Sequence, residues 1–149
     1  MTTVSHTTAA PGSAVIIVTY HTGPCLMDCI RAVLGEASAR EVVVVDNGNP
    51  PEVVARLEEM AASEPRLTLL TGHGNVGFGK ACNLGAQATT SPHLLLLNPD
   101  SVLQPGSLDG AMTLRATSPH AASVVECASL IARISGPRPF LTTPCHWNA

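Results

Sequence analysis

The sequence is poor in aromatic residues (3%) and in charged ones (13%), and this poverty already removes several classes of protein. Its 8 basic and 11 acidic side chains leave a formal net charge of −3 with histidine neutral. A polybasic nucleic-acid binder is disfavoured, because no dense Lys/Arg stripe is present to neutralise phosphates. Long apolar runs are missing too. The longest are Ala14 to Val18, Val42 to Val45 and Leu94 to Leu97, far short of the ~20 residues of a membrane-spanning helix. The opening MTTVSHTTAAPGS has neither a basic start nor a hydrophobic stretch, so it does not read as a signal peptide, and residues 1–13 are expected to be a flexible polar tail. There is no C-x-x-C pair among Cys25, Cys29, Cys82, Cys127 and Cys145. An odd set in a chain of this kind predicts reduced thiols, and Cys127, Cys145 and His146 lack a recognisable zinc-ligand spacing.

What the sequence does have is apolar content, 45% of 149 residues, enough for the core of one domain or most of one. Disorder throughout is excluded by the same figure. The apolar residues follow a repeated strand-then-helix rhythm. Ala14 to Val18 is a continuous β-branched run, as in a strand buried on both faces. A helix is predicted from about Pro24, with Leu26, Ile30, Val33 and Leu34 on one face and Thr22 as its cap. Glu41 to Val45 is a second buried strand, stopped by the turn residues Asp46-Asn47-Gly48-Asn49-Pro50. Pro51 suits the first turn of the next helix. Leu67 to Leu70, a glycine-rich loop and a helix from about Gly77 to Ala88 make a third unit. Leu94 to Leu97, Asn98-Pro99-Asp100 and a helix beginning near Pro105 make a fourth. Four such units predict an α/β fold with a mainly parallel sheet and helices on both faces. Ligands of such sheets bind beyond the carboxyl ends of the strands, where Thr19-Tyr20, Asp46-Asn47-Gly48, the glycine loop and Asn98-Pro99-Asp100 all fall.

Three motifs compete for the glycine loop. Gly72, Gly74 and Gly77 fit G-x-G-x-x-G, but on the third unit and not the first, where a dinucleotide fingerprint belongs. Gly74 to Lys80 fits G-x-x-x-x-G-K, but Ala81 replaces the hydroxyl that would hold magnesium in an NTPase. The third reading uses the whole edge. V-I-I-V-T-Y, V-V-V-D-N-G, N-x-G-F-G-x-A-x-N-x-G and L-L-L-N-P-D followed by P-G-x-L occur in this order over about residues 14 to 125. In order and spacing this set resembles the family 2 glycosyltransferases of the GT-A fold, nearest their rhamnosyltransferase-like branch.

The resemblance implies a GT-A (Rossmann-like) three-layer sandwich over residues 14–125, with its C-terminal part incomplete. It assigns nucleotide-sugar binding to Thr19, Tyr20, Asp46 and Asn47, to Asn75, Gly77 and Asn83, and to Asn98 and Asp100. Asp100, in the place of the family's D-x-D motif, is the implied ligand of a divalent cation, Mg or Mn, that bridges the donor's diphosphate. The implied reaction moves a sugar from a dTDP- or UDP-linked donor to an acceptor hydroxyl of a glycan or lipid-linked acceptor, in cell-wall or surface polysaccharide synthesis. The implied location is cytoplasmic, or at the inner face of the membrane. Elementary chemistry agrees on several points. A carboxylate accepts hydrogen bonds from an imide N–H or ribose hydroxyls, and hard cations suit carboxylate and phosphate oxygens. Glycines admit close backbone approach, and a helix N-terminus favours anionic groups.

The acceptor hydroxyl needs a general base, and none is assigned. Asp109 lies in the last predicted helix, and Glu126 has no family motif around it. His21 and Asn49 stand where asparagine and serine are common in the family. Pro119 to Val125 looks like the start of a fifth strand, but residues 126–149, with prolines at 137, 139 and 144, have no clear periodicity. This abrupt change predicts an irregular tail and a truncated or frame-shifted gene product. The alternative function is a non-catalytic nucleotide-sugar-binding remnant. A phosphate-accepting signalling domain is disfavoured, because Thr19-Tyr20 stand where its paired acids are expected.

Overall fold

Four apolar runs become four parallel strands, placed by the helices between them. The computed structural model describes residues 12–117 and 141–142. Most of the expected N-terminal tail, the expected fifth strand, most of the 126–149 stretch, and Glu126, Cys127, Cys145 and His146 lie outside the described residues. The elements run β1 (Ser13–Thr19), α1 (Cys25–Leu34), β2 (Ala39–Asp46), α2 (Pro51–Ser63), β3 (Leu67–Leu70), α3 (Phe78–Gln87), β4 (His93–Leu97), β5 (Val102–Leu103), α4 (Ser107–Thr117) and β6 (Leu141–Thr142). The sheet order is β3-β2-β1-β4, and all three pairings are parallel. Thr19 is opposite Asp46, Val45 opposite Leu70, and Ile17 opposite Leu97, so the carboxyl ends of the strands are level.

The β-branched runs of β1 and β2 are continuous, not alternating, because both faces of these two strands are covered. Every residue of β1 is buried. Val15 and Ile17 pack into a core with Leu26, Ile30 and Val33 of α1 and Leu57 of α2. Ile16 and Val18 point the other way, against Ala81 and Cys82 of α3. Burial of each Val or Ile side chain stabilises the sheet by about 1.5–3 kcal/mol. The α3 helix sits close because Gly85 faces the sheet: a Cβ there would fall 2.5 Å from Ile16 Cγ2. It packs on β1 and β2. Leu94 and Leu96 of β4, at alternate positions, remain 49% and 42% exposed.

One boundary differs from the sequence expectation. Thr22 does not cap α1, whose start has no side-chain cap; the Thr22 hydroxyl instead pairs with Thr19 Oγ1 at 2.9 Å. The last helix starts at Ser107, two residues after Pro105. Its first amides are taken by Glu36 at the turn after α1, which accepts from Gly106 N at 2.7 Å and Leu108 N at 2.8 Å. Asp109 returns the tie by accepting from Ser38 N at 3.0 Å and from the Ser38 hydroxyl. The short pair β5–β6 was not legible in the pattern, and it places one strand within the stretch expected to be irregular. Cys29 and Cys82 are buried thiols outside any disulfide, as expected, but Cys25 is disulfide-bonded. Spacing rules read neighbouring cysteines only, and they do not exclude a distant partner.

Candidate functional site

The chain runs β1, β2, β3 outward in one direction and then returns to put β4 on the other side of β1. Strand order reverses between β1 and β4, and crevices at such reversals bind ligands beyond the carboxyl ends. Thr19-Tyr20, Asp46-Asn47-Gly48, the loop after β3, and Asn98-Pro99-Asp100 all leave the sheet at this edge.

At the ends of β1 and β2 the polar groups form one network. Asp46 Oδ1 accepts from Gly48 N at 3.2 Å, Asn49 N at 2.8 Å and Asn49 Nδ2 at 2.8 Å. Oδ2 accepts from Thr71 Oγ1 at 2.7 Å. Burial pushes this carboxyl up, but the backbone of Asn49, the Thr71 hydroxyl, the Asn49 amide and the backbone of Gly48 outweigh it and hold the group below its ordinary range. With three donors on Oδ1 and one on Oδ2, the acceptor capacity left to an incoming group is on Oδ2. Thr19 is fully buried, and its hydroxyl meets Thr22 Oγ1 and the Asn49 amide. It therefore supports the edge from below. Tyr20 is half exposed beside it. Its ring lies over the turn at Gly48 (φ +120°), where a Cβ would come within 3.4 Å of Cε2. It also meets the ring of His21 edge-on at 4.5 Å. His21 itself has φ +45°, a left-handed conformation that few residues other than glycine adopt.

Asn47 ties β2 to the glycine loop. Its Nδ2 donates to Asn75 Oδ1 at 3.0 Å, and its Oδ1 accepts from Val76 N at 3.0 Å. Asn75 Oδ1 also accepts from Gly77 N at 2.9 Å. The loop is thereby set so that α3 begins after Gly77 (φ +83°) with no side-chain cap. An uncapped helix start offers backbone amides and a partial positive charge to an anion. Lys80 and Asn83 are exposed in the first and second turns of α3.

Asn98-Pro99-Asp100 leaves β4 on the far side of β1. The loop rests on α1, where Cys29 Sγ, fully buried, donates to Asn98 O at 3.5 Å. Burial first, and then the nearby charge of Asp100, push the Cys29 thiol up to about 12, although a hydrogen bond from the Ser101 backbone opposes them. Among the described residues no group of three or more His, Cys, Asp or Glu is placed to hold a metal ion. Asp100 alone does not make a resident metal centre. It does fit a hard cation that keeps its waters and is shared with phosphate oxygens, the usual habit of magnesium.

The structure thus joins Thr19, Asp46, Asn47 and Asn75 in one hydrogen-bonded edge and sets Tyr20 beside it. Asn98 and Asp100 lie across β1, and Asn83 stands on the exposed side of α3. Thr71 and Cys29 were missed as contributors, because nothing local to a Thr in a loop or a Cys in a helix reveals a partner so far along the chain. Asn49 reads from the sequence as a turn residue and a departure from the family pattern, and neither reading contains its bonds to Asp46 and Thr22.

A parallel, doubly wound sheet with a polar, carboxylate-bearing edge at its reversal point is an α/β architecture whose ligands bind at that edge. The comparisons narrow the class. Residues 14–129 match Glycosyl transferase family 2, and the chain belongs to that family. An uncharacterized glycosyltransferase from Haemophilus influenzae is 19% identical over 111 residues, covering 74% of this chain and 34% of its own length. Among solved structures, the mannosyltransferase PcManGT from Pyrobaculum calidifontis, in complex with GDP-Man and Mn2+, superposes with a TM-score of 0.65. It has 23% identity and covers 73% of this chain and 33% of that one. S. aureus TarS 1-349 in complex with UDP-GlcNAc gives a TM-score of 0.63 at 17% identity, over 77% of this chain and 37% of that one. These likenesses establish the GT-A-type fold, of which part is present here. The chain spans about a third of the length of the relatives it matches. Among the described residues, no helix is long and apolar enough to cross a membrane.

Proposed function

We propose that this chain binds the nucleoside-diphosphate-sugar donor of a glycosyltransferase that transfers the sugar to an acceptor hydroxyl. The observation that carries this reading is that Asp46, Asn47 and Asn75 on one side of β1, and Asn98 and Asp100 on the other, stand at the same carboxyl edge of the sheet. Tyr20 and the open capacity of Asp46 Oδ2 suit the nucleoside end, an apolar face beside an acceptor for an N–H or a ribose hydroxyl. The uncapped start of α3 and Lys80 suit the diphosphate. Asp100 would hold Mg2+ or Mn2+ jointly with diphosphate oxygens, and such an ion neutralises the charge that develops on the departing diphosphate. Likeness to a GDP-Man and a UDP-GlcNAc complex supports a nucleotide-linked donor. The finer reading is a dTDP- or UDP-linked sugar, a glycan or lipid-linked acceptor, and cell-wall or surface polysaccharide synthesis in the cytoplasm or at the inner membrane face.

A second reading, donor binding without transfer by this chain alone, is favoured by one observation. Asp109, a carboxylate downstream of Asp100, is engaged with Ser38, and no described residue is assigned as the general base the reaction needs. Incubation with UDP-, dTDP- and GDP-sugars and Mn2+, followed by product analysis, separates the two. Release of free sugar or transfer to an added acceptor supports the transferase. Saturable binding with intact donor supports the second reading, and no binding of any donor overturns both.

A further inference from the structure

We propose that Asn49 is the positioning residue of the nucleoside end, holding the Asp46 carboxylate and the Thr19–Thr22 turn in one arrangement before any ligand arrives. The inference rests on the donor-binding reading above and goes beyond it, since Asn49 carries no role in that reading. An asparagine just before a helix ordinarily serves as its cap. Here the cap position of α2 is Pro50, with no side-chain cap, and the Asn49 side chain turns away from the helix toward β1. Its Nδ2 donates to Asp46 Oδ1 at 2.8 Å and lies 3.1 Å from Thr19 Oγ1 and 3.4 Å from Thr19 O. Its Oδ1 accepts from Thr22 N at 3.1 Å. One amide therefore links the end of β2, the end of β1 and the turn that carries Tyr20 and His21.

The link needs both ends of an amide. Its donor fixes the Asp46 carboxyl plane so that Oδ1 is filled from within and Oδ2 keeps its capacity for a ligand. Its acceptor holds Thr22 N and with it the turn that contains the left-handed His21, whose conformation is unfavourable without an external restraint. A serine hydroxyl is shorter and does not reach Asp46 and Thr22 N together. Preorganisation of this kind raises affinity by removing the cost of ordering the site at the moment of binding.

The test uses the full 149-residue chain. UDP, dTDP and GDP are titrated with Mn2+, and the tightest is compared with inorganic pyrophosphate in Asn49→Ala and Asn49→Ser. Nucleotide affinity is expected to fall about tenfold in Asn49→Ala and less in Asn49→Ser, with pyrophosphate affinity kept within about twofold. In the Asp46→Ala background, Asn49→Ala should cost less than in the unmodified chain, because the part of its effect that runs through Asp46 is already lost and only the part through the Thr22 turn is left. A fully folded variant with unchanged nucleotide affinity overturns the proposal. So does equal weakening of nucleotide and pyrophosphate, which marks general destabilisation. If Asn49→Ala does not fold, Asn49→Ser carries the same comparison. Failure of the unmodified chain to bind any of the three nucleotides is a different result, and it removes the donor-binding reading itself.

Discussion

Four hydrogen bonds converge on Asp46, and they hold its carboxyl below the ordinary value even though burial opposes them. The sign of the resulting pH dependence follows from linkage. A carboxyl whose pKa is depressed by folding contributes stability that is complete above its unfolded value of about 3.9 and is lost as pH falls through the lower folded value. Urea midpoints measured against pH should therefore show an acid limb that is shallower in Asp46→Asn than in the unmodified chain. Cys29 behaves in the opposite sense: buried and pushed up to about 12, its thiol stays protonated at neutral pH. Iodoacetamide at pH 8 is expected to leave Cys29 unmodified in the folded chain and to alkylate it after denaturation, as read by peptide mass mapping. Fast native alkylation would contradict its placement. At this scale the sequence identified which residues reach the edge but not which way they turn. Thr19 and Asn47 are expected as ligand contacts, and their side chains also bond within the protein. Side-chain direction depends on partners such as Thr71 and Asn75, far along the chain, and no local pattern contains them.

The four strands of the parallel sheet were more legible than orientations, because each is a β-branched or leucine run, and so was α1, because its apolar residues return every three to four positions. What periodicity did not contain was the use of polar residues at element ends. Thr22 has the composition of a cap but pairs with Thr19, while Glu36, far from α4 in sequence, binds its first amides. Glu36→Ala would leave the buried amide of Leu108, and the more exposed one of Gly106, without their partner, at a cost of about 1–3 kcal/mol. A drop in urea midpoint with an unchanged slope measures it; an unchanged midpoint would contradict the tie. Gly85 gives a second test, since the family motif ends on it but only the packing of α3 on β1 shows why a glycine stands there. Gly85→Ala improves helix propensity but sets a Cβ 2.5 Å from Ile16 Cγ2. Crowding should win, with a net loss of about 1–3 kcal/mol in the same unfolding measurement.

At the scale of the whole molecule, the βα rhythm implied a parallel sheet, and the right-handedness of crossovers limits how it winds. The order β3-β2-β1-β4 is a further fact, absent from any single segment, and it separates the carboxylates of Asp46 and Asp100 across β1. Motif order made the family legible because four linked motifs constrain one another, whereas the glycine loop alone was open to three readings. The central claim is that the edge shared by β1, β2 and β4 binds a nucleoside diphosphate through both carboxylates. Calorimetric titration of UDP, dTDP and GDP with Mn2+ into the unmodified chain, Asp46→Ala and Asp100→Ala tests it most directly. Saturable binding by the unmodified chain is predicted for at least one nucleotide, with affinity about tenfold or more weaker in each variant. Removing Mn2+ should weaken the unmodified chain but scarcely change Asp100→Ala. Equal affinity in all three proteins would contradict the account.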